Sequence, residues 1–283
     1  MRVHHLNCGC MCPIGGAWFD GRSRGATASL VCHCLLIESE AGLVLVDTGF
    51  GTGDVRRPDR LSGLFRRMNN IKLQRRYTAL GEVERLGFDA RDVRHIVLTH
   101  LDFDHAGGLS DFPHATVHLM ADELHSAEHA RGFVARRRYR QTQWAATTNW
   151  RPYAATGENW MGFPAVRDLE GLPSDILLVP LAGHTAGHAG VAVHTDGRWL
   201  LHAGDAYFFH GEIHGPDRTC PPGMRAYQDL MNVDKDARLE NQQRLRALAN
   251  APDAGITIFC SHDAGELHIL GGQPAEDLVS ATS

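Results

Sequence analysis

The chain has 283 residues, 43% of them apolar, and a formal net charge of −5. That length supports one large globular core, and the acidic balance sets aside bulk electrostatic attraction to nucleic acid. Seven cysteines, an odd number, do not make a secreted disulfide scaffold; residues 1–10 hold no apolar leader segment and no run approaches membrane-spanning length, so a cytoplasmic protein without membrane contact is expected.

From the N-terminus, residues 3–6, 29–38 and 43–46 read as strands, with a hairpin turn at 38–42. Cys8, Cys10 and Cys12 alternate, as do Cys32 and Cys34, which reads as small hydrophobes on one face of each strand. Residues 50–82 differ in character. Between 56 and 76 there are eight Arg or Lys against one acid, Asp59, with Leu61, Leu64, Phe65 and Met68 at helical spacing. Basic amphipathic helices are expected there, as a solvated face, a dimer arm or a cleft wall. Residues 95–99 read as a strand, Gly107-Gly108 as an abrupt turn, 116–119 as a strand and 122–129 as a helix whose basic tail continues through Arg136–Arg138 and Arg140.

Residues 141–165 hold Trp144, Trp150 and Trp160, with Tyr153, Met161 and Phe163. Such apolar area suits a lid, a pocket wall or packing of the segment onto its own body. Strands are expected at 176–181, 199–202 and 256–260, and an amphipathic helix at 239–249. Between them, residues 206–233 read as a long insertion. His210 and His214 sit four apart, but Gly211, Gly215 and Pro216 place them in a loop. The tail from Gln273 is expected to be mobile.

Four polar segments follow these apolar runs: His100-Leu101-Asp102-Phe103-Asp104-His105, Gly183-His184-Thr185-Ala186-Gly187-His188, Gly204-Asp205 and Ser261-His262-Asp263. Each supplies imidazole or carboxylate at a strand end, where a rigid sheet can aim ligands at one point. With the upstream Asp47-Thr48-Gly49 turn, the ordered series resembles the metallo-β-lactamase superfamily over most of the chain. The usual motif there is His-x-His-x-Asp-His; here position 102 is Asp.

The resemblance implies a four-layer αββα sandwich in one domain, residues 1–283, with insertions at about 50–82, 125–165 and 206–233. It implies a dinuclear centre. His100, Asp102 and His184 would hold one ion, Asp104, His105 and His262 the other, and Asp205 would bridge. Zinc is expected, with iron or manganese compatible, since Asp102 adds a hard oxygen donor. Two divalent ions balanced by three carboxylates and a bridging hydroxide make the centre neutral, one charge lower than with His at 102. The implied reaction is attack of that hydroxide on an ester or lactone, with Asp104 shuttling a proton and Tyr207 donating to the oxyanion. The branch that opens N-acyl homoserine lactones is most similar; phosphodiester or thioester hydrolysis and diiron redox chemistry are the alternatives. The partner is a small molecule with an apolar part, and a homodimer is left open.

Overall fold

The computed structural model describes residues 1–164, 169–252 and 254–271. The tail from residue 273 lies outside them. The strands are β1 (Arg2–Met11), β2 (Leu30–Ser39), β3 (Gly42–Val46), β4 (Ile71–Lys72), β5 (Val93–Val97), β6 (Thr116–Met120) and β7 (Trp150–Tyr153), then the small hairpin β8 (Asn159–Trp160) and β9 (Phe163–Pro164). They continue with β10 (Ile176–Pro180), β11 (Ala189–Thr195), β12 (Arg198–His202) and β13 (Ile256–Phe259). Among the described residues one sheet runs β4-β1-β2-β3-β5-β6-β7 and a second runs β10-β11-β12-β13. In the first, β1, β2 and β3 pair antiparallel, whereas β3, β5, β6 and β7 are parallel. In the second, only β12 and β13 are parallel.

Period-two alternation sends successive side chains of these strands to opposite faces, and both faces are apolar. Leu35, Ile37, Val44, Val46 and Val97 of the first sheet meet Ile176, Leu178, Val191, Val193 and Phe259 of the second in an inner core. The alternate residues Leu36, Leu45, Ile96 and Val117 pack with Val83 of helix Ala79–Arg85 and Ala127 of helix Ala121–Glu128. On the far side, Leu177, Val179, Leu201 and Ile258 pack with Leu245 of helix Lys235–Ala249. Helix, sheet, sheet and helix are therefore stacked, the expected four-layer αββα arrangement. No described helix is long and apolar enough to cross a membrane.

Several segments depart from the sequence reading. β1 extends to Met11 through a bulge between Asn7 and Cys10, and all seven cysteines are buried and free. Residues 50–82 hold short helices, Thr52–Arg56 and Gly63–Met68, followed by β4 added at the sheet edge. Leu61 and Phe65 are buried there, while Leu64 and Met68 are exposed, so half of the expected stripe meets the core. His210–Glu212 is a single turn, as its glycine neighbours suggest, but a helix follows at Pro222–Met231, with proline in its first turn. The basic run at 135–138 is a short separate helix, and its last residue, Arg138, is fully buried rather than solvated.

The tryptophans divide between two cores. Trp144 lies in the outer core of the first sheet, edge-on to Trp150 at 6.1 Å. Trp160 lies in the outer core of the second, edge-on to Trp199 at 5.1 Å. This is packing of the segment onto the body. Trp160→Ala should therefore lower the unfolding free energy by about 3–5 kcal/mol, the scale for emptying an aromatic core position. Urea denaturation followed by far-UV circular dichroism measures this, and a loss below about 1 kcal/mol would show that the hairpin is not anchored by this ring.

Candidate metal centre

The loops after β3, β5, β10, β12 and β13 bring their polar residues together. Asp47, just past β3, accepts from Thr99 N at 2.8 Å, Thr99 Oγ1 at 2.7 Å and His105 Nδ1 at 2.8 Å. Glu123 accepts from Leu101 N at 2.9 Å, Thr185 Oγ1 at 2.6 Å and Gly187 N at 3.2 Å. One carboxylate thus ties the loop after β5 to the loop after β10. His188 donates Nδ1–H to Leu181 O, so its Nε2 accepts from Asp205 N at 2.8 Å. His262 donates Nδ1–H to Val31 O at 2.7 Å, binding the loop after β13 back to β2. Two glycines allow the close approach. A Cβ at Gly107 would strike the Gly49 carbonyl, and one at Gly204, where φ is +56°, would strike the His188 ring.

All seven nominated ligand residues are buried in one place. His100 Nε2 lies 3.4 Å from Asp102 Oδ2, and His184 Nε2 lies 3.1 Å from the same oxygen. His262 Nε2 lies 3.7 Å from Asp104 Oδ2, and His105 Nε2 lies 4.0 Å from Asp104 Oδ1. Asp205 stands between these groups. Its Oδ2 faces His184 at 3.4 Å and His100 at 3.8 Å; its Oδ1 faces His262 at 3.2 Å and His105 at 3.3 Å.

This donor set fits divalent cations. The inward Nε2 atoms of His100 and His105 and Oδ1 of Asp205 are buried without a hydrogen-bond partner. The outward nitrogens of His100, His105 and His262 are each engaged, by Thr99, Asp47 and Val31, which aims the other nitrogen inward. Three carboxylates converge in a space closed to water, which their mutual repulsion opposes unless cations join them. Against the desolvation of burial, the Asp205 and Asp47 carboxylates hold the His105 pKa well above the usual imidazole range. His100 is instead pushed down to about 4, by burial and by His105 beside it.

Tyr207 sits elsewhere. Its hydroxyl donates to Glu266 Oε1 at 2.9 Å and its ring belongs to the outer core of the second sheet. The cleft over the cluster is lined by Met11, Leu30, Phe103, Phe208, Tyr227 and Met231 together with Asp102, Asp104 and His262. The phenol near the carboxylates is thus Tyr227, on helix Pro222–Met231, where burial and the charge of Asp104 raise its pKa and keep it a neutral donor. The sequence reading quoted Asp47 and His188 only within motifs and gave no role at this site to either, nor to Glu123, Cys32 or Arg138. Cys32 Sγ lies within 4.8 Å of donor atoms of Asp104 and His262, although alternation marks it only as a buried strand residue. For Glu123 and Arg138 the sequence carries no local signal, since each is joined to the cluster by tertiary packing alone.

The sequence profile described as "Metallo-beta-lactamase superfamily" matches residues 29–262. A probable metallo-hydrolase of Mycobacterium tuberculosis is 43% identical over 263 residues, 93% of this chain and 80% of that protein. An N-acyl homoserine lactonase of Bacillus thuringiensis is 28% identical over 129 residues, covering 43% of this chain and 52% of the lactonase. Among solved structures, an N-acyl homoserine lactone hydrolase with N-hexanoyl-L-homoserine at its catalytic metal centre superposes with a TM-score of 0.68 at 21% identity, covering 93% of this chain and 94% of that one. A dizinc quorum-quenching lactonase gives 0.58 at 16% identity, covering 93% and 89%.

If Asp47 orients His105 for cation binding, Asp47→Ala should weaken metal retention about 10- to 100-fold, the range for losing a residue that positions a ligand. Competition against a chromophoric chelator measures this. Unchanged retention would reduce Asp47 to a turn-shaping residue.

Proposed function

The chain belongs to the metallo-β-lactamase superfamily and is a metal-dependent hydrolase, and we propose that it is a dinuclear enzyme that opens an ester or lactone bearing an apolar acyl chain, with N-acyl homoserine lactones the first substrates to test. The observation that carries this reading is Asp205, which turns one carboxylate oxygen to His100 and His184 and the other to His105 and His262. In this reading His100, Asp102 and His184 hold one ion, Asp104, His105 and His262 hold the second, and Asp205 is shared. The strand-end loops span residues 47–262, so one domain performs the reaction.

When bound, two such ions supply a water acidified to hydroxide near neutral pH and polarise a carbonyl. The chain's own residues do the remainder. Met11, Leu30, Phe208 and Met231 give the cleft an apolar wall for an acyl chain. Tyr227 Oη–H donates to the carbonyl oxygen as its charge develops. The hydroxide oxygen, the water's other proton having gone to solvent, bonds to the carbonyl carbon, the bond to the ring oxygen breaks, and the remaining proton passes by way of an Asp104 oxygen to the departing alkoxide. The products are one carboxylate and one hydroxyl. No Lys or Arg lines the cleft among the described residues. The apolar wall, rather than any side-chain charge, is what the cleft offers a substrate beside the ions, which favours a lactone or ester with an apolar acyl chain.

Elemental analysis of protein purified without added metal should find two ions per chain, with zinc, iron and manganese all measured, and Asp205→Ala should lose both metal and turnover. On a panel of N-hexanoyl homoserine lactone, p-nitrophenyl butyrate, a thioester and bis-p-nitrophenyl phosphate, lactone turnover should lead. Leading phosphodiester turnover would reject the substrate class.

Tyr227→Phe should lower kcat for the lactone about 100- to 1000-fold, the usual effect of removing an oxyanion donor. Tyr207→Phe should leave kcat near native. The reverse pattern would return the role to Tyr207.

A further inference from the structure

Arg138 is only 1% exposed, and its guanidinium is paired on every side. Nε and Nη2 donate to both oxygens of Asp102, at 2.7 and 2.6 Å. Nη1 donates to Met231 O at 2.8 Å and to His184 O at 3.3 Å. Nη2 also reaches His184 Nε2 at 2.8 Å. The guanidinium therefore stands against two groups of the first proposed ion site, including the imidazole nitrogen that faces inward. A buried arginine needs this completeness, because an unpaired charge there is strongly destabilising.

We propose that Asp102 and Arg138 form one ligand unit that replaces a single neutral ligand, and that Arg138 sets the order of filling: the Asp104–His105–His262 site first, the His100–Asp102–His184 site second. This rests on the two-metal reading above. Three carboxylates and one guanidinium leave the centre with the same charge as two carboxylates and an imidazole at 102. The charge lowering inferred from Asp102 in the sequence is thereby cancelled, although the donor atom remains oxygen. A cation entering the His100–Asp102–His184 site must part the Nη2–His184 contact and meet a fixed positive charge. Among the described residues, no Arg or Lys is paired with Asp104 or with the inward nitrogens of His105 and His262.

The unit also explains why the metal-free cluster can be compact. Asp102 already has a positive partner, both of its oxygens accepting from the guanidinium at 2.7 and 2.6 Å. Asp102→His alone would strand the guanidinium among imidazoles, so the two positions should exchange only together.

The test is titration of full-length protein with Zn(II), and separately Mn(II), by calorimetry with chelator competition. It compares native protein, Arg138→Gln and the double variant Asp102→His/Arg138→Gln. Native protein should bind two ions in two steps. In Arg138→Gln the second step should tighten about 10-fold or more, within the usual range of coupling between charged sites. Its first step should not move. Its metal-free Tm should fall, and added metal should raise Tm more than in native protein. A general packing defect would weaken both steps instead. The double variant should again bind two ions, with a metal-free Tm above that of Arg138→Gln. An unchanged or weaker second step in Arg138→Gln would overturn the filling order. If that variant does not fold, the double variant decides, and failure to recover two-ion binding would overturn the unit. Native protein binding fewer than two ions would overturn the two-metal reading as well, whereas two ions in the native chain with no effect at Arg138 would overturn this inference alone.

Discussion

Three carboxylates and four imidazoles converge in a space closed to water, and the rest of the structure answers that constraint. Ionised carboxylates do not gather in a low-dielectric interior unless positive charge gathers with them. The chain meets the demand in layers. Asp102 is gripped by Arg138, His105 is held between Asp47 and Asp205, and Asp205 is oriented by the backbone bond to His188. Every such partner is itself held by another element, so the cluster is fixed from outside inward.

That fixing explains the use of two sheets. The residues of the cluster leave the C-terminal ends of β3, β5, β10, β12 and β13, and no single sheet carries all of these strands. The inner core between the sheets keeps their edges at one spacing. Across that spacing run a few polar ties. Glu123 joins the loop after β5 to the loop after β10, and His262 binds Val31 across the sheets. The geometry of the cluster is therefore set by strands, which are stiff, while the helix Pro222–Met231 and its neighbours form the cleft wall.

What could be read from the sequence follows the same division. The strand-end cluster was legible because each of its residues is polar and closes an apolar run, a local pattern. The paired sheets entered as an implication of the family resemblance, and the structure gives their physical reason: adjacent residues such as Leu35 and Leu36 are both apolar and face different cores. Arg138 was not legible. In sequence it closes a run of arginines after an exposed helix, and only the tertiary path brings it to a carboxylate 36 residues away. Tyr207 misled for the complementary reason. Its closeness to Asp205 in sequence does not decide side-chain direction, and Phe208, the next residue, is the one that faces the cleft. The tryptophans show a third limit: composition gives the amount of apolar area, but not which core receives it.

Two departures from local rules stand at the cluster. Asp47 adopts a left-handed backbone with φ of 56°, although it is not glycine, and Arg138 is buried although it closes a run of arginines. Neither choice is favourable by itself. Both are held by bonds to the residues nominated as ligands or to Thr99, so the strain is sustained only when the cluster is assembled. A chain under no demand at this point would replace Asp102 and Arg138 with apolar residues at little loss of stability. Their presence, fully paired and facing His184, is the local inconsistency that marks a functional site, and it does so without reference to any relative.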